Sequence, residues 1–327
     1  MKKFVKLLVV LLCLLFIGGM VFGSGSDDEE ATKVGEVAGE EVQETEEKVE
    51  SAGEESKEEV VKTEYHVGDI LKDGDMQIVY VASGEYKEEN EFMQPQEGNK
   101  FIFIKLAFEN QGTSDQAVSG FSFECYADGY NVETHYTEND LSATLSPGRS
   151  TEGLLIYEVP QDAGTIEIEY ETNLFTGDKL KFIYDGEKDS GYVAQANTAS
   201  SENAFVVGDI IESDTLNITY LSCEKDTSYN EFSAPREGTH YVTLTFEFEN
   251  KGESDQYVSM FEFDCFADGK DCEQAYFRED HLDATLSSGR KAQGTVTFMV
   301  PDDATTVEAE YVSNLWTSSR VIFAVSE

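Results

Sequence analysis

Five cysteines, four histidines and 66 carboxylates are the residues of this 327-residue chain whose types could do chemistry. Thiols pair as disulfides, imidazoles with thiols hold zinc, and clustered loop carboxylates hold calcium. Spacing narrows these options. No HExxH, GxSxG, P-loop, GxGxxG or CxxC string occurs. His66, His135, His240 and His281 stand at no metal-ligand spacing from a cysteine. Acids gather at Glu88, Glu89 and Glu91, ahead of Pro95 and Glu97, and comparably at Asp226, Glu231 and Glu237. Calcium needs roughly six to eight oxygens, which loop carboxylates could supply, but no D-x-D-x-[DN]-G loop is present. Solvated charge is the plainer reading, with calcium the alternative cofactor and no other cofactor expected.

An internal repeat sorts these residues. VGDI at Val67 recurs at Val207. In the same order recur NEF with P-x-EG after it (Asn90, Asn230), FEN (Phe108, Phe248), SDQ (Ser114, Ser254), ADG (Ala127, Ala267), Gly-Arg (Arg149, Arg290), VP (Val159, Val300) and EY (Glu169, Glu310). The offset is 140 residues as far as ADG and 141 from Leu141 and Leu282 onward, so the second copy has one extra residue between Cys272 and Leu282. A period this long means two whole domains rather than a solenoid. Each copy is then a control for the other. Every histidine faces a different residue type in the other copy, and no nucleophile–base pair is shared.

The polar residues that both copies keep are Asp69/Asp209, Asn90/Asn230, Glu91/Glu231, Asn110/Asn250, Asp115/Asp255, Gln116/Gln256 and Arg149/Arg290. Turn building explains most of them, because Asn and Asp bond their own backbone. The arginine is expected to pair with an acid on the next strand. The alternative is a shared ligand surface on one loop end, built from the N-E-F and S-D-Q loops. Its residues would be Asn90, Glu91, Phe92, Asp115 and Gln116, with Asn230, Glu231, Phe232, Asp255 and Gln256. Phe92 and Phe232 would be its exposed aromatics.

Cys125 and Cys265 are equivalent, whereas Cys223 matches Ser83 and Cys272 matches Val132. The first copy has one cysteine and closes no internal bridge. In the second, Cys223–Cys265 is the expected disulfide, joining strands across the core. Cys265–Cys272 is the alternative if Asp268-Gly269 forms a two-residue turn, though at a hydrogen-bonded site where bridging geometry is poorer. A bridge would add about 3 kcal/mol. Cys125 reads as a buried apolar thiol.

The elements that must position these residues alternate with period two. FIFIKLAFE from Phe101 and YVTLTFEFE from Tyr241 are half-buried strands. So are MQIVYV, FSFECYA, LLIYEV and TIEIEY, with LNITYL, FEFDCFA, TVTFMV and TVEAEY as their counterparts. Asp128-Gly129 and Asp268-Gly269 suit hairpin turns. The expected fold is all-β: two tandem immunoglobulin-like antiparallel β-sandwiches of roughly seven to nine strands each. Trp316, matching Phe175, reads as a core or rim aromatic.

Before the repeats, Lys2, Lys3 and Lys6 precede an apolar run from Leu7 to Phe22. Residues 1–23 are expected to be a cleaved signal peptide or an uncleaved N-terminal membrane helix, and both place the repeats outside the cytoplasm. Cys13 lies inside the run rather than at a lipidation site. Residues 24–64 read as a disordered acidic stalk, with 16 acids against four lysines between 27 and 64. The domains are then 65–186 and 204–327, joined by a polar linker at 187–203 that implies some freedom between them. The net charge of −43 disfavours nucleic acid and anionic lipid, so any membrane contact is expected only through the N-terminal segment.

The order P-x-EG-x-x-[FY]-[IV] … FEN-x-G-x-SDQ … F-x-F-x-C-[YF]-ADG … L-S-x-GR … VP resembles a telokin-like, immunoglobulin-fold domain of unknown function. That family is found in exported proteins and lipoproteins of Gram-positive bacteria and is related in fold to a secreted mycobacterial immunoprotective antigen. The resemblance implies an exported protein and no particular chemistry. A non-catalytic surface module that binds an extracellular protein or glycan is the expected function. A cation- or small-molecule-binding accessory protein of a transporter or sensor is the alternative. An enzyme is not expected.

Overall fold

The computed structural model describes residues 32–36, 64–137, 141–173, 178–194, 204–314 and 319–326. The N-terminal apolar segment, most of the acidic stalk, Phe175 and Trp316 lie outside these residues. The fold is all-β and sandwich-like. The principal strands of the first repeat are β2 (Asp69–Asp73), β3 (Met76–Tyr86), β4 (Asn99–Asn110), β5 (Phe123–Ala127), β6 (Ser150–Pro160), β7 (Ile166–Asn173) and β8 (Asp178–Ile183). Those of the second are β9 (Ile210–Glu212), β10 (Leu216–Asp226), β11 (Thr239–Asn250), β12 (Phe263–Ala267), β13 (Lys270–Asp271), β14 (Lys291–Pro301), β15 (Val307–Asn314) and β16 (Ser319–Ala324). An additional strand, β1 (Thr32–Glu36), precedes them all.

Alternating apolar residues build each core. In the first sandwich Ile102, Ile104, Leu106 and Phe108 of β4 face Cys125, Ile168 and Phe182 of the opposing sheet. In the second, Val242, Leu244, Phe246 and Phe248 face Cys265, Ala309 and Phe323. Each turn at Asp128-Gly129 and Asp268-Gly269 has positive φ at both residues, as a two-residue hairpin requires. Each aspartate also accepts backbone N–H bonds across the sheet end, from Gly164 and Thr165 to Asp128, and from Thr305 and Thr306 to Asp268.

The two repeats share one sheet. Strands β2, β3, β4 and β6 of the first sandwich continue through a parallel bridge at Ser150–Lys270 into β13, β12, β15 and β16 of the second. The opposing sheets stay separate: β8, β7 and β5 in the first repeat, and β9, β10, β11 and β14 in the second.

The freedom expected between the domains is replaced by a docked interface. Ser150 N donates to Gly269 O (3.0 Å), and Glu152 lies between Lys105 and Lys270 at 2.8 and 2.7 Å. Phe266 of β12 leaves its own repeat and packs into the core of the first sandwich, with the Arg149 guanidinium 4.7 Å above its ring. Burying such a ring contributes about 2–3 kcal/mol.

Two expected boundaries also move. Residues 32–36, assigned to a disordered stalk, pair antiparallel with β2. Residues 188–189, assigned to the linker, pair with Ser83 and Ala82 of β3, and Tyr192 then packs over Val79, Val81, Ala82 and Ala107 on the outer face of that sheet. A polar sequence can join a sheet edge because the ladder is made of backbone groups that every non-proline residue carries.

Candidate binding surface

The N-E-F loops hold their shape through an Asx turn in both copies. Asn90 Oδ1 accepts from Phe92 N (3.0 Å), and Asn230 Oδ1 accepts from Phe232 N (2.8 Å). The turn leaves Phe92 and Phe232 88% and 90% exposed. Glu91 and Glu231 are exposed beside them. At the root of the first loop, Glu88 accepts from Asn90 N (2.8 Å) and lies 2.7 Å from His135 Nε2; these contacts hold its carboxyl below the ordinary range. His135 stacks on Phe101 at 4.2 Å. Its place is taken by Ala275 in the second copy, where Tyr229 packs on Phe277 and Arg278 on Asp226 instead.

The S-D-Q loops do not join this surface. The N-E-F loop precedes Asn99 and the S-D-Q loop follows Asn110, so the twelve residues of β4 separate them. At about 3.4 Å per residue the two loops are roughly 37 Å apart, at opposite ends of the sandwich. The same holds across β11 (Thr239–Asn250) in the second copy. The expected single ligand surface is therefore two surfaces. Gln116 and Gln256 begin the short strands Gln116–Ser119 and Gln256–Ser259.

The S-D-Q end is a structural one in the first copy. Asn110 is fully buried and donates through Nδ2 to Ser114 O (2.7 Å) and Leu145 O (2.8 Å), while accepting from Gly112 N. Asn250 repeats these bonds with Ser254, Leu286 and Gly252. Asp115 pairs with Arg320 of the second repeat. Arg149 pairs with an acid, as expected, but not on the next strand of its own repeat. Its partners are Glu308 and Glu310, both at 2.7 Å, while Ser146 Oγ donates to Glu310 and Arg320 lies 2.9 Å from it. Asp264 sits in the same cluster. Burial first, then Glu310 and Asp115, push its carboxyl up to about 7 against the pull of Arg320. In the second copy the matching Arg290 and Asp255 are exposed.

Beside the N-E-F end, each repeat carries an aromatic pair that alternation does not reveal. FSF reads as strand, which would put Phe121 and Phe123 on one face. The structure instead makes Gly120–Ser122 a 3₁₀ turn capped by Ser119, so Phe123 is buried and Phe121 is 62% exposed. Met260–Glu262 repeats the turn with Ser259 as cap, leaving Phe261 69% exposed. Phe121 lies 5.8 Å from Tyr136, and Phe261 lies 5.8 Å from Tyr276. Persistence of Tyr136 and Tyr276 across the repeat was the available signal. Such rings can stack on flat, weakly polar ligand faces. Among the described residues, no three His, Cys, Asp or Glu side chains converge as a metal-ligand set.

The expected Cys223–Cys265 bridge is not formed: the four described cysteines carry thiols. Cys223 stands on β10, opposite Leu244, and next to the Tyr220 hydroxyl. The thiol of Cys265 instead meets that of Cys272, whose backbone N–H donates to Cys265 O at 2.8 Å. Cys125 is buried, and burial pushes its thiol up to about 12.

Fold and surface together define a tandem β-sandwich protein. Over residues 65–180 and 205–321 the chain matches a domain of unknown function (DUF4352), and it belongs to that family. None of the curated proteins matches it. Among solved structures it is similar to the ycdA protein of Bacillus subtilis, at 13% identity over 39% of each chain and a TM-score of 0.31. An uncharacterised β-sandwich protein of Clostridium difficile is similar at 12% identity, over 39% of this chain and 98% of that one, with a TM-score of 0.28. The secreted protein MPT63 of Mycobacterium tuberculosis is similar at 12% identity, over 38% and 99%, with a TM-score of 0.30. The chain spans 39% of the ycdA protein's length.

Proposed function

We propose that this protein is a non-catalytic, extracytoplasmic binding module of two immunoglobulin-like sandwiches. Each would present the same aromatic platform to an extracellular glycan or protein. The observation that carries this reading is the exposed pair Phe121–Tyr136, repeated as Phe261–Tyr276 at the same 5.8 Å. A core does not need these rings, yet both copies hold them in the same exposed arrangement. Phe92 and Phe232 are one further exposed aromatic in each copy. The basic start and apolar run at the N-terminus support export, either as an anchored or as a released chain. Two equivalent platforms on docked domains suit a ligand with repeated units, for which the second contact is favoured by effective concentration.

A glycan array probed with the purified repeats tests the proposal. The expected result is retention of an oligosaccharide class, lost at least tenfold when Phe121, Tyr136, Phe261 and Tyr276 are changed to Ala. Because all four side chains are exposed, the variant should melt close to the wild type. Retention that ignores the four substitutions would remove the platforms from the function. A protein ligand would show as a substitution-sensitive partner with no glycan retained. A melting temperature raised several degrees by calcium, and restored by chelator, would favour the cation-binding alternative.

A further inference from the structure

We propose that Cys265 and Cys272 form a dithiol–disulfide site within the hairpin on which the first sandwich docks. Their juxtaposition follows from register. Ala267 pairs with Lys270 and Phe266 with Asp271, so Cys265 and Cys272 are the next residues across the ladder. The 2.8 Å bond from Cys272 N to Cys265 O marks a hydrogen-bonded pair. Such a pair sets the Cα atoms about 5.5 Å apart, within the ~4.4–6.8 Å that a disulfide spans. Both side chains belong to the core cluster of the second sandwich, so they point the same way. The first copy supplies the control. Val132 N makes the same bond to Cys125 O (3.0 Å), so the hairpin forms where no second thiol exists.

The oxidant is an exchange-active disulfide, either a small molecule or an oxidoreductase. Cys272 is the more accessible thiol, at 8% exposure against 0% for Cys265, and attacks first. Its sulfur bonds to one sulfur of the oxidant and expels the other as a thiolate. Cys265 then attacks the mixed disulfide at the Cys272 sulfur and expels the second thiolate. Two protein thiols lose two electrons and two protons, and the oxidant disulfide becomes two thiols. Closure at a hydrogen-bonded site favours a bridge of the reducible kind rather than a permanent one. Its position gives oxidation a consequence. Phe266, next to Cys265, is the residue buried in the first sandwich, and Gly269 and Lys270 receive Ser150 and Glu152. A bridge from 265 to 272 therefore fixes the docking hairpin.

The test is incubation of the native protein with glutathione disulfide, then denaturing alkylation and a non-reduced digest. The expected product is a Cys265–Cys272 linked peptide, with Cys125 and Cys223 still alkylated. Cys223→Ser should leave the product unchanged, and Cys272→Val, which installs the first copy's residue, should abolish it. Amide exchange at Gly269 and Lys270 should slow on oxidation. A Cys223–Cys265 peptide, four alkylated thiols, or a mixed disulfide that never closes would overturn the site. Unchanged exchange in the bridged protein would overturn its coupling to the dock.

Discussion

Arg149 and Arg290 occupy the same place in the repeat and have opposite fates. Arg149 is buried against Glu308 and Glu310, whereas Arg290 is exposed. Removing one partner of a buried pair leaves an uncompensated charge, which costs about 3–5 kcal/mol. Arg149→Met is therefore expected to destabilise the chain by that order and to split one thermal transition into two. Arg290→Met should stay within about 0.5 kcal/mol. Calorimetry of both variants checks this, and equal effects would contradict the docked interface. Asp264 gives a pH prediction. Its folded value of about 7 lies above the ordinary carboxyl value near ~3.9. The folded state then binds more protons than the unfolded state between ~4 and ~7, so this residue's contribution to stability falls as pH rises through that window. The carboxyls that face it are Glu310, Asp115 and Asp271, and the cation is Arg320. Asp264→Asn should flatten the fall and stabilise the protein at pH 7 by something on the order of 2 kcal/mol, read by urea denaturation at pH 4, 5.5 and 7. Asp226 runs the other way. Against burial, hydrogen bonds from Ser228 and Thr243 and the Arg278 guanidinium hold it at about 2. Its stabilisation is full above ~4 and is lost as pH falls through about 2. Denaturation of Asp226→Asn should show a shallower acid limb.

At the scale of elements, the strands follow from their own residues, because alternation places one side of each on the core. The exceptions have local causes. Both copies carry a bulge in the long hairpin, between Tyr80 and Ala82 and between Tyr220 and Ser222, and it reverses the alternation. At the bulge itself, Val81 is covered by Tyr192, whereas Leu221 is 39% exposed. The strand at FSF begins two residues late because Ser119 caps a 3₁₀ turn. Gly153 and Gly294 mark a close crossing of strand and chain. A Cβ at Gly294 would fall 2.6 Å from Leu282 Cα, and one at Gly153 would fall 2.9 Å from Leu141 Cα. Backbone cannot yield as a flexible side chain does. Gly294→Ala should therefore cost about 1–3 kcal/mol, visible as a lower urea midpoint; an unchanged midpoint would show that the crossing relaxes freely.

For the whole molecule, docking one end of the first sandwich onto a sheet face of the second turns two repeats into one compact unit. The face that receives it is distinctive in the second copy. Glu167 and Glu169 of the first copy are paired with Lys181 and Lys179 on the same sheet. At the matching places the second copy has Glu308 and Glu310 but only one cation, Arg320, because Ile322 replaces the lysine. The missing charge is supplied by Arg149. Restoring it with Ile322→Lys should weaken docking by competing for Glu308, which small-angle scattering would read as a larger radius of gyration. An unchanged radius would show that the docked interface holds without the Arg149–Glu308 pair.

The sequence by itself determined what depends on neighbours a few residues away. Strand alternation, the Asp-Gly hairpins, the Asx turn under Phe92 and the twofold repeat all belong to that class, since each is a local preference written twice. It also held the shared Asn110 and Asn250, whose role as turn builders follows from a side chain that bonds its own backbone. Only the tertiary structure decided which member of each equivalent pair is buried. Arg149 and Arg290 share their local surroundings, but their fates depend on residues about 160 positions away in one case and on open solvent in the other. The same distinction separated the N-E-F and S-D-Q loops, offered as one shared surface on a single loop end and placed at opposite ends by the length of β4. It also set Cys265 beside Cys272, because the ladder register makes them partners across the hairpin.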